Sequence, residues 1–232
     1  MDTNRRELNF ETLVGAIQQV HDELAAQAGR AVNLSLTIRN WLIGCYIAEY
    51  EQNGADRAEY GARLLENLST HLAEGGMEGV ASRSLRQYRQ FYLVYPEIWQ
   101  TVSAKSLENV VPFSIRQTLP AKLTTTSSQT PPSAVPVSDL SQKLSFSHFA
   151  ELIAIADETK RSFYEIECIR GNWSVRELKR QIGSLYYERA GLSRNKQKLS
   201  ELAQQSAEKD EPKLAIRDPY VFEFLGLKPK EV

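Results

Sequence analysis

Apolar residues in this chain return at three- and four-residue steps and nowhere sustain a two-residue alternation, so the chain is restricted to packed helices. From Asn33 to Gln52 the stripe runs through Leu34, Ile38, Trp41, Leu42 and Cys45, and the same spacing holds from Phe10 to Gln27. The intervening Ala28-Gly29-Arg30 reads as either a turn or a kink, because a helix can tolerate a lone glycine. Asn53-Gly54 is a firmer stop. A third helix is expected from about Arg57 to Ala73, with Leu64, Leu65, Leu68 and Leu72 inward and Gly75-Gly76 at its end. A fourth is expected from Ser84 to Tyr95, stopping at Pro96.

Periodicity then lapses. Val111 to Val137 holds Pro112, Pro120, Pro131, Pro132 and Pro136 and a Thr/Ser/Gln run from Thr124 to Thr130, the composition of a linker. Helical patterns resume near Ser147–Ala156, Glu158–Ile169, Ser174–Arg189 and Arg194–Ala207. The expected fold is all-α, with helix-turn-helix-like units divided by a Pro/Ser/Thr-rich linker. Its parts are a first helical block at 8–110, a linker at 111–143, a second block with a basic helix at 144–207, and a tail at 208–232.

Cysteine usage and charge set the environment. Cys45 and Cys168 are the only two cysteines, far apart and within apolar helical stretches, a spacing that fits neither a disulfide framework nor a zinc site. The start of the chain, Met1 to Glu7, lacks the apolar core of a signal peptide, and no stretch is long and apolar enough to cross a bilayer. A soluble cytoplasmic protein without a membrane partner is expected. The formal net charge of −1 supplies no overall attraction for nucleic acid, so any such attraction must be local.

Two helix starts look alike and carry that local signal. Ser84-Leu85-Arg86-Gln87 follows Gly75-Gly76-Met77-Glu78-Gly79, and Ser174-Val175-Arg176-Glu177 follows Gly171-Asn172-Trp173; each reads as a capping box, the second with Trp173 and Leu178 spaced as a hydrophobic staple. Each helix divides into two faces. In the first, Leu85, Tyr88, Tyr92 and Tyr95 fall inward and Arg83, Arg86, Gln87 and Gln90 outward. In the second, Val175, Leu178, Ile182 and Leu185 fall inward and Arg176, Lys179 and Arg180 outward. A helix, a short turn and a capped helix showing Arg and Gln near its N-terminus is the plan of a helix-turn-helix reader. Arginine suits guanine edges and phosphates, and glutamine suits adenine. Arg170 to Lys198 carries eight Lys and Arg against two Glu. The competing reading is ordinary: amphipathic helices whose basic faces are merely solvated.

Catalytic patterns are weaker. His21, His71 and His148 are dispersed without metal-ligand spacing, and each is expected at the surface or in packing. The glycines at 75–79 lack the Gly-Lys-Ser/Thr ending of a phosphate loop. Glu158-Thr159-Lys160 and Glu211-Pro212-Lys213 imitate the Glu-x-Lys element of nucleases, but the first sits in a helical pattern and the second spans a proline. Neither offers carboxylates converging on a metal ion. The aromatic pairs Phe91-Tyr92 and Tyr186-Tyr187 fall at helical spacing and are read as packing residues.

Four longer strings add a resemblance. Glu51 to Gly61 (EQNGADRAEYG), Leu85 to Pro96 (LRQYRQFYLVYP), Arg161 to Arg180 (RSFYEIECIRGNWSVRELKR) and Arg217 to Leu227 (RDPYVFEFLGL) are similar to the YhcG-type family. The resemblance implies a helical N-terminal region that binds DNA through a helix-turn-helix and is followed by a PD-(D/E)xK nuclease domain. Here the chain stops at Val232, shortly after the string that leads into that domain, so no catalytic residue of the family carries over. The resulting expectation is a DNA-targeting module without an active site, metal or cofactor. Its partners would be double-stranded DNA and a PD-(D/E)xK nuclease domain or chain, with a homo-oligomer a further candidate. The proposed DNA contacts are Arg83, Arg86, Gln87 and Gln90, with Arg89 as a supporting phosphate contact, and Arg176, Lys179 and Arg180. The alternative is a helical interaction or oligomerisation scaffold that recruits a nuclease.

Overall fold

The computed structural model describes residues 10–54, 63–101 and 137–192. The fold is all-α, and among these residues no β-strand occurs. Helix α1 spans Phe10–Asn53, α2 Leu64–Glu74 and α3 Ser82–Val94, followed by a 3-10 helix at Pro96–Thr101. The chain resumes with α4 (Val137–Lys143), α5 (Phe146–Leu152), α6 (Glu158–Gly171), α7 (Val175–Gly183) and α8 (Tyr186–Leu192). The two helices expected on either side of Gly29 are one continuous helix. A single internal glycine costs about 1 kcal/mol of helix propensity, which the buried second half of α1 offsets through Leu36, Trp41, Cys45 and Ile47. The expected Arg194–Ala207 helix, the tail and most of the expected linker lie outside the described residues; the linker's last part, Val137–Lys143, is helical.

Helix α1 is the spine of the core, and α3 packs along it at very short range. An added Cβ at Gly44 would lie 2.0 Å from the Tyr88 carbonyl oxygen, so only glycine permits this approach of the two backbones. Trp41 seals the far end: its indole N–H donates to the Tyr95 carbonyl at 2.8 Å, which satisfies a helix-end acceptor that burial would otherwise leave unpaired. Rings from before and after the linker then interlock. Tyr88 and Phe91 meet Phe146 at centroid distances of 5.4 Å each, and Phe149 meets Phe91 at 4.9 Å and Tyr95 at 5.1 Å. These separations are those of favourable tilted and edge-to-face pairs. The two sequence blocks therefore share one core.

Several polar groups within that core are paired, whereas the buried side chains of Thr37 and Asn40 on α1 have no hydrogen-bond partner among the described residues. The Tyr95 hydroxyl donates to Glu165 at 2.6 Å, and burial followed by this carboxylate raises its pKa well above the usual phenol value. Tyr186 of α8 donates to Glu167, two residues further along α6, at 3.2 Å. His148 is buried and opens α5 in a capping box with Ser145: its Nδ1 accepts from the Ser145 N–H at 3.1 Å. With Nδ1 an acceptor, the proton lies on Nε2, which donates to the Trp173 carbonyl at 3.0 Å. One histidine thus ties the start of α5 to the turn before α7.

Candidate nucleic-acid interface

Both candidate helices are preceded by the same kind of helix ending. At the end of α2, Gly76 takes φ 79° while the Met77 N–H reaches back to the Leu72 carbonyl at 3.0 Å. At the end of α6, Asn172 takes φ 48° and the Trp173 N–H reaches back to the Cys168 carbonyl at 3.0 Å. This left-handed ending satisfies carbonyls left over at a helix terminus and turns the chain sharply. Further bonds fix the first turn: Arg39 of α1 donates to the Glu78 carbonyl at 3.0 Å, and the Tyr88 hydroxyl to the Gly79 carbonyl at 2.9 Å.

Helix α3 begins two residues before the expected capping serine. Ala81 occupies the cap, α3 starts at Ser82, and Ser84 lies in its first turn without capping it. The expected faces nevertheless hold. Leu85, Tyr88 and Phe91 are buried, Tyr92 is half-buried, and Arg83, Arg86 and Gln90 are exposed. Among the described residues neither Arg83 nor Arg86 forms an ion pair, so their guanidinium groups project at the outer surface. Gln87 and Arg89 sit at the flank, half-buried. Arg89 is held by Glu51 of α1 at 2.5 Å, with its side chain 36% exposed.

Helix α7 starts as expected: the Ser174 side chain accepts from the Glu177 N–H at 3.1 Å, and Trp173 and Leu178 are buried. The returning half of the box is absent, because Glu177 turns to other partners. Its carboxylate takes two bonds from Arg180, at 2.6 and 2.9 Å, and one from Gln181 at 2.7 Å. Lys179 stands 3.4 Å from Glu151 of α5, and Arg170 stands 3.6 Å from Glu167. Arg176, Lys179 and Arg180 are all exposed, yet acids from neighbouring turns neutralise part of the positive excess read from the sequence. Leu185, expected inward, is 54% exposed. It takes φ 55° in the turn that divides the expected Ser174–Arg189 helix into α7 and α8, so its side chain leaves the buried face.

The dispersed histidines and the Glu-x-Lys imitation on α6 lie in different surroundings. His71 Nδ1 contacts the Asn67 carbonyl at 2.8 Å on α2, His21 is exposed on α1, and burial lowers the pKa of His148 to about 4. Lys160 of the Glu-x-Lys imitation is bound by Glu188 at 2.6 Å. Glu211-Pro212-Lys213 lies outside the described residues. Among those described, no group of three or more His, Cys, Asp or Glu is placed to hold a metal ion, both cysteines are buried and neither forms a disulfide, and no helix is long and apolar enough to cross a membrane. Phe91, Tyr186 and Tyr187 pack against other rings or the core. Sequence reading missed three tethers of the candidate surface, Arg39, Glu51 and Glu151, since each meets its partner only through the fold. It also missed the role of His148, although Ser145-x-x-His148 carried a local signal.

Comparison with known proteins places this arrangement. The family described as DUF1016 N-terminal domain matches residues 16–129 and 125–189. The Escherichia coli (strain K12) protein named "Putative nuclease YhcG" is 38% identical over 233 residues, covering 94% of this chain and 58% of that protein. The chain thus spans little more than half the length of this curated relative. No solved structure matches. By these matches the chain belongs to the DUF1016 N-terminal domain family, the YhcG-type family to which its four longer strings point.

Proposed function

We propose that this region is a DNA-targeting module that holds duplex DNA for a nuclease domain or chain and takes no part in the cleavage chemistry itself. The observation that carries the reading is the outer face of α3. Arg83, Arg86 and Gln90 are exposed on a helix whose other face is fixed in the core by Leu85, Tyr88 and Phe91. A rigid helix of this kind can enter a major groove with its side chains already spaced, so docking orders few groups. Arg83 and Arg86 near the N-terminal end would meet guanine edges or phosphates, and Gln87 and Gln90 would meet adenine edges. Arg89, already tied to Glu51, is suited to a phosphate at the flank.

Helix α7 is the supporting surface. Lys179 and Arg180 have intramolecular acid partners, so they would exchange or share those partners for phosphate, which makes them weaker contributors than α3. Arg176 lies in the first turn of α7, where the helix dipole adds attraction for an anion. The relative's name as a nuclease supports nucleic acid as the binding partner.

The test is duplex binding by anisotropy with Arg83→Glu and Arg86→Glu together, against Arg176→Glu and Arg180→Glu together. The reading expects the first pair to abolish binding and the second to weaken it. Unchanged binding in both folded variants would reject it.

A further inference from the structure

The first half of α1 is exposed along nearly its whole length. From Phe10 to Ala28 every residue is exposed except half-buried Ala26, and burial begins at Gly29. Yet this stretch is apolar along one side: Phe10 is 78% exposed, Ile17 60% and Leu24 59%, with Leu13, Val14 and Val20 exposed beside them. At 1.5 Å per residue the uncovered segment is roughly 27 Å long. Isolated amphipathic helices of this length are marginal in water, and their stability comes from packing of the apolar face.

The spacing identifies what covers it. Phe10, Ile17 and Leu24 recur every seven residues, and Leu13 and Val20 fall between them in the same repeat. That is the a and d pattern of a two-helix seam, narrower than the stripe of a helix lying on a globular core. Counting about 100° per residue, the stripe lies in line with Ile38 and Leu42, which pack in the core further along α1, but before Gly29 its side chains are left exposed.

We propose that Phe10 to Gln27 pairs with the same segment of a second copy, forming a short coiled coil that makes the protein a homodimer. Each copy offers five seam side chains, and burying each removes about 60–120 Å² from water, so two copies bury on the order of 1,000 Å², the lower bound for a specific interface. The flanks allow it. In a parallel pair the positions beside the seam are Val14, Ala16, His21, Glu23 and Ala28; Glu23 is the only acid among them, and it faces Ala28 of the other copy. No like charges oppose each other. Gln19 donates to Glu23 at 3.0 Å and holds that carboxylate beside the polar face. The dimer stands independently of whether the chain binds DNA. If it does, dimerisation presents two copies of α3 to one duplex.

Sedimentation equilibrium of the full chain under reducing conditions tests this. The expected wild-type mass is twice the 26.3 kDa of one chain. Ile17→Glu with Leu24→Glu is expected to raise the dimer dissociation constant at least about 100-fold, since charged groups replace apolar ones at two seam layers. Gln18→Lys with Asp22→Lys, on the other face, is expected to remain dimeric. The near-UV signal of the aromatic core should be unchanged in both. Were the glutamate pair to disturb that signal, Ile17→Ala with Leu24→Ala serves instead and should still weaken the dimer at least about tenfold. A monomeric wild type at every concentration, or a dimer unaffected by a folded seam variant, overturns the proposal.

Discussion

Replacing Gly44 by alanine tests whether close approach of α1 and α3 is what positions the candidate surface. The new methyl group would stand 2.0 Å from the Tyr88 carbonyl oxygen, 2.5 Å from its carbon and 3.1 Å from the Arg89 nitrogen. All three are backbone atoms and cannot rotate away. Relief requires the helices to part by more than an ångström, and a gap of 0.5–1 Å already forfeits about a quarter to a half of the contact energy along the seam. Two terms oppose each other. Alanine gains about 1 kcal/mol of helix propensity over glycine, whereas overpacking a well-filled core costs roughly 1–3 kcal/mol and occasionally more. Because the obstacle is rigid backbone in the principal helix contact, the upper end applies, and a net loss of about 2 kcal/mol is expected. Gly15→Ala in the exposed half of the same helix is the control. Nothing lies within 4 Å of its added Cβ, so propensity acts alone and stability should rise by up to about 1 kcal/mol. Urea unfolding of the three proteins reads both signs. Gly44→Ala as stable as wild type would refute the claim that this contact sets the helix spacing.

Ser174→Ala should cost about 1 kcal/mol by leaving the Glu177 N–H without its acceptor, whereas Ser84→Ala, inside the first turn of α3, should be neutral or slightly stabilising; paired denaturation curves read the contrast. His148 is buried, with its pKa lowered from 6.5 to about 4, so the unfolded chain binds the extra proton first. Its contribution is therefore complete above about pH 6.5 and is lost as pH falls through 4, about 3 kcal/mol in all, and His148→Gln should flatten that part of the stability–pH profile. Tyr95→Phe keeps the ring contacts but removes the donor to buried Glu165, whose remaining cationic neighbour, Arg161, stands at 3.9 Å; a loss of about 1–3 kcal/mol is expected in thermal unfolding.

Local signals were legible in the sequence. Gly75-Gly76 and Pro96 mark helix ends because backbone conformation at those residues is decided by the residues themselves, and the ends of α2 and α3 follow. The outward placement of Arg83, Arg86, Gln90, Arg176, Lys179 and Arg180 was legible for the same reason, since 3.6-residue periodicity separates faces without reference to the rest of the fold. What failed was competition between local options. Ser82 and Ser84 both lie near the start of α3, and the Leu85 N–H bonds to the Ala81 carbonyl, so the helix starts earlier than the apparent box. Gly29 signalled a break, yet the helix continues through it into the buried half of α1. Gly183-Ser184 marked the turn that reverses Leu185, but the apolar repeat from Val175 overrode it in reading. Partners distant in sequence, such as Glu51 for Arg89 and Glu151 for Lys179, carry no periodic signature at all.

The central claim is that the outer face of α3 binds duplex DNA, and the most direct measurement is fluorescence anisotropy of a labelled duplex across a salt series. Wild type and the Arg83→Glu with Arg86→Glu variant are compared, each confirmed folded by near-UV circular dichroism. The account predicts wild-type affinity that falls steeply with salt, each lost phosphate contact reducing the log–log slope by about 0.9. In the variant, binding should vanish or lose roughly two such contacts. Salt-sensitive binding that is indifferent to both substitutions, or no binding by wild type even at low salt, would contradict it.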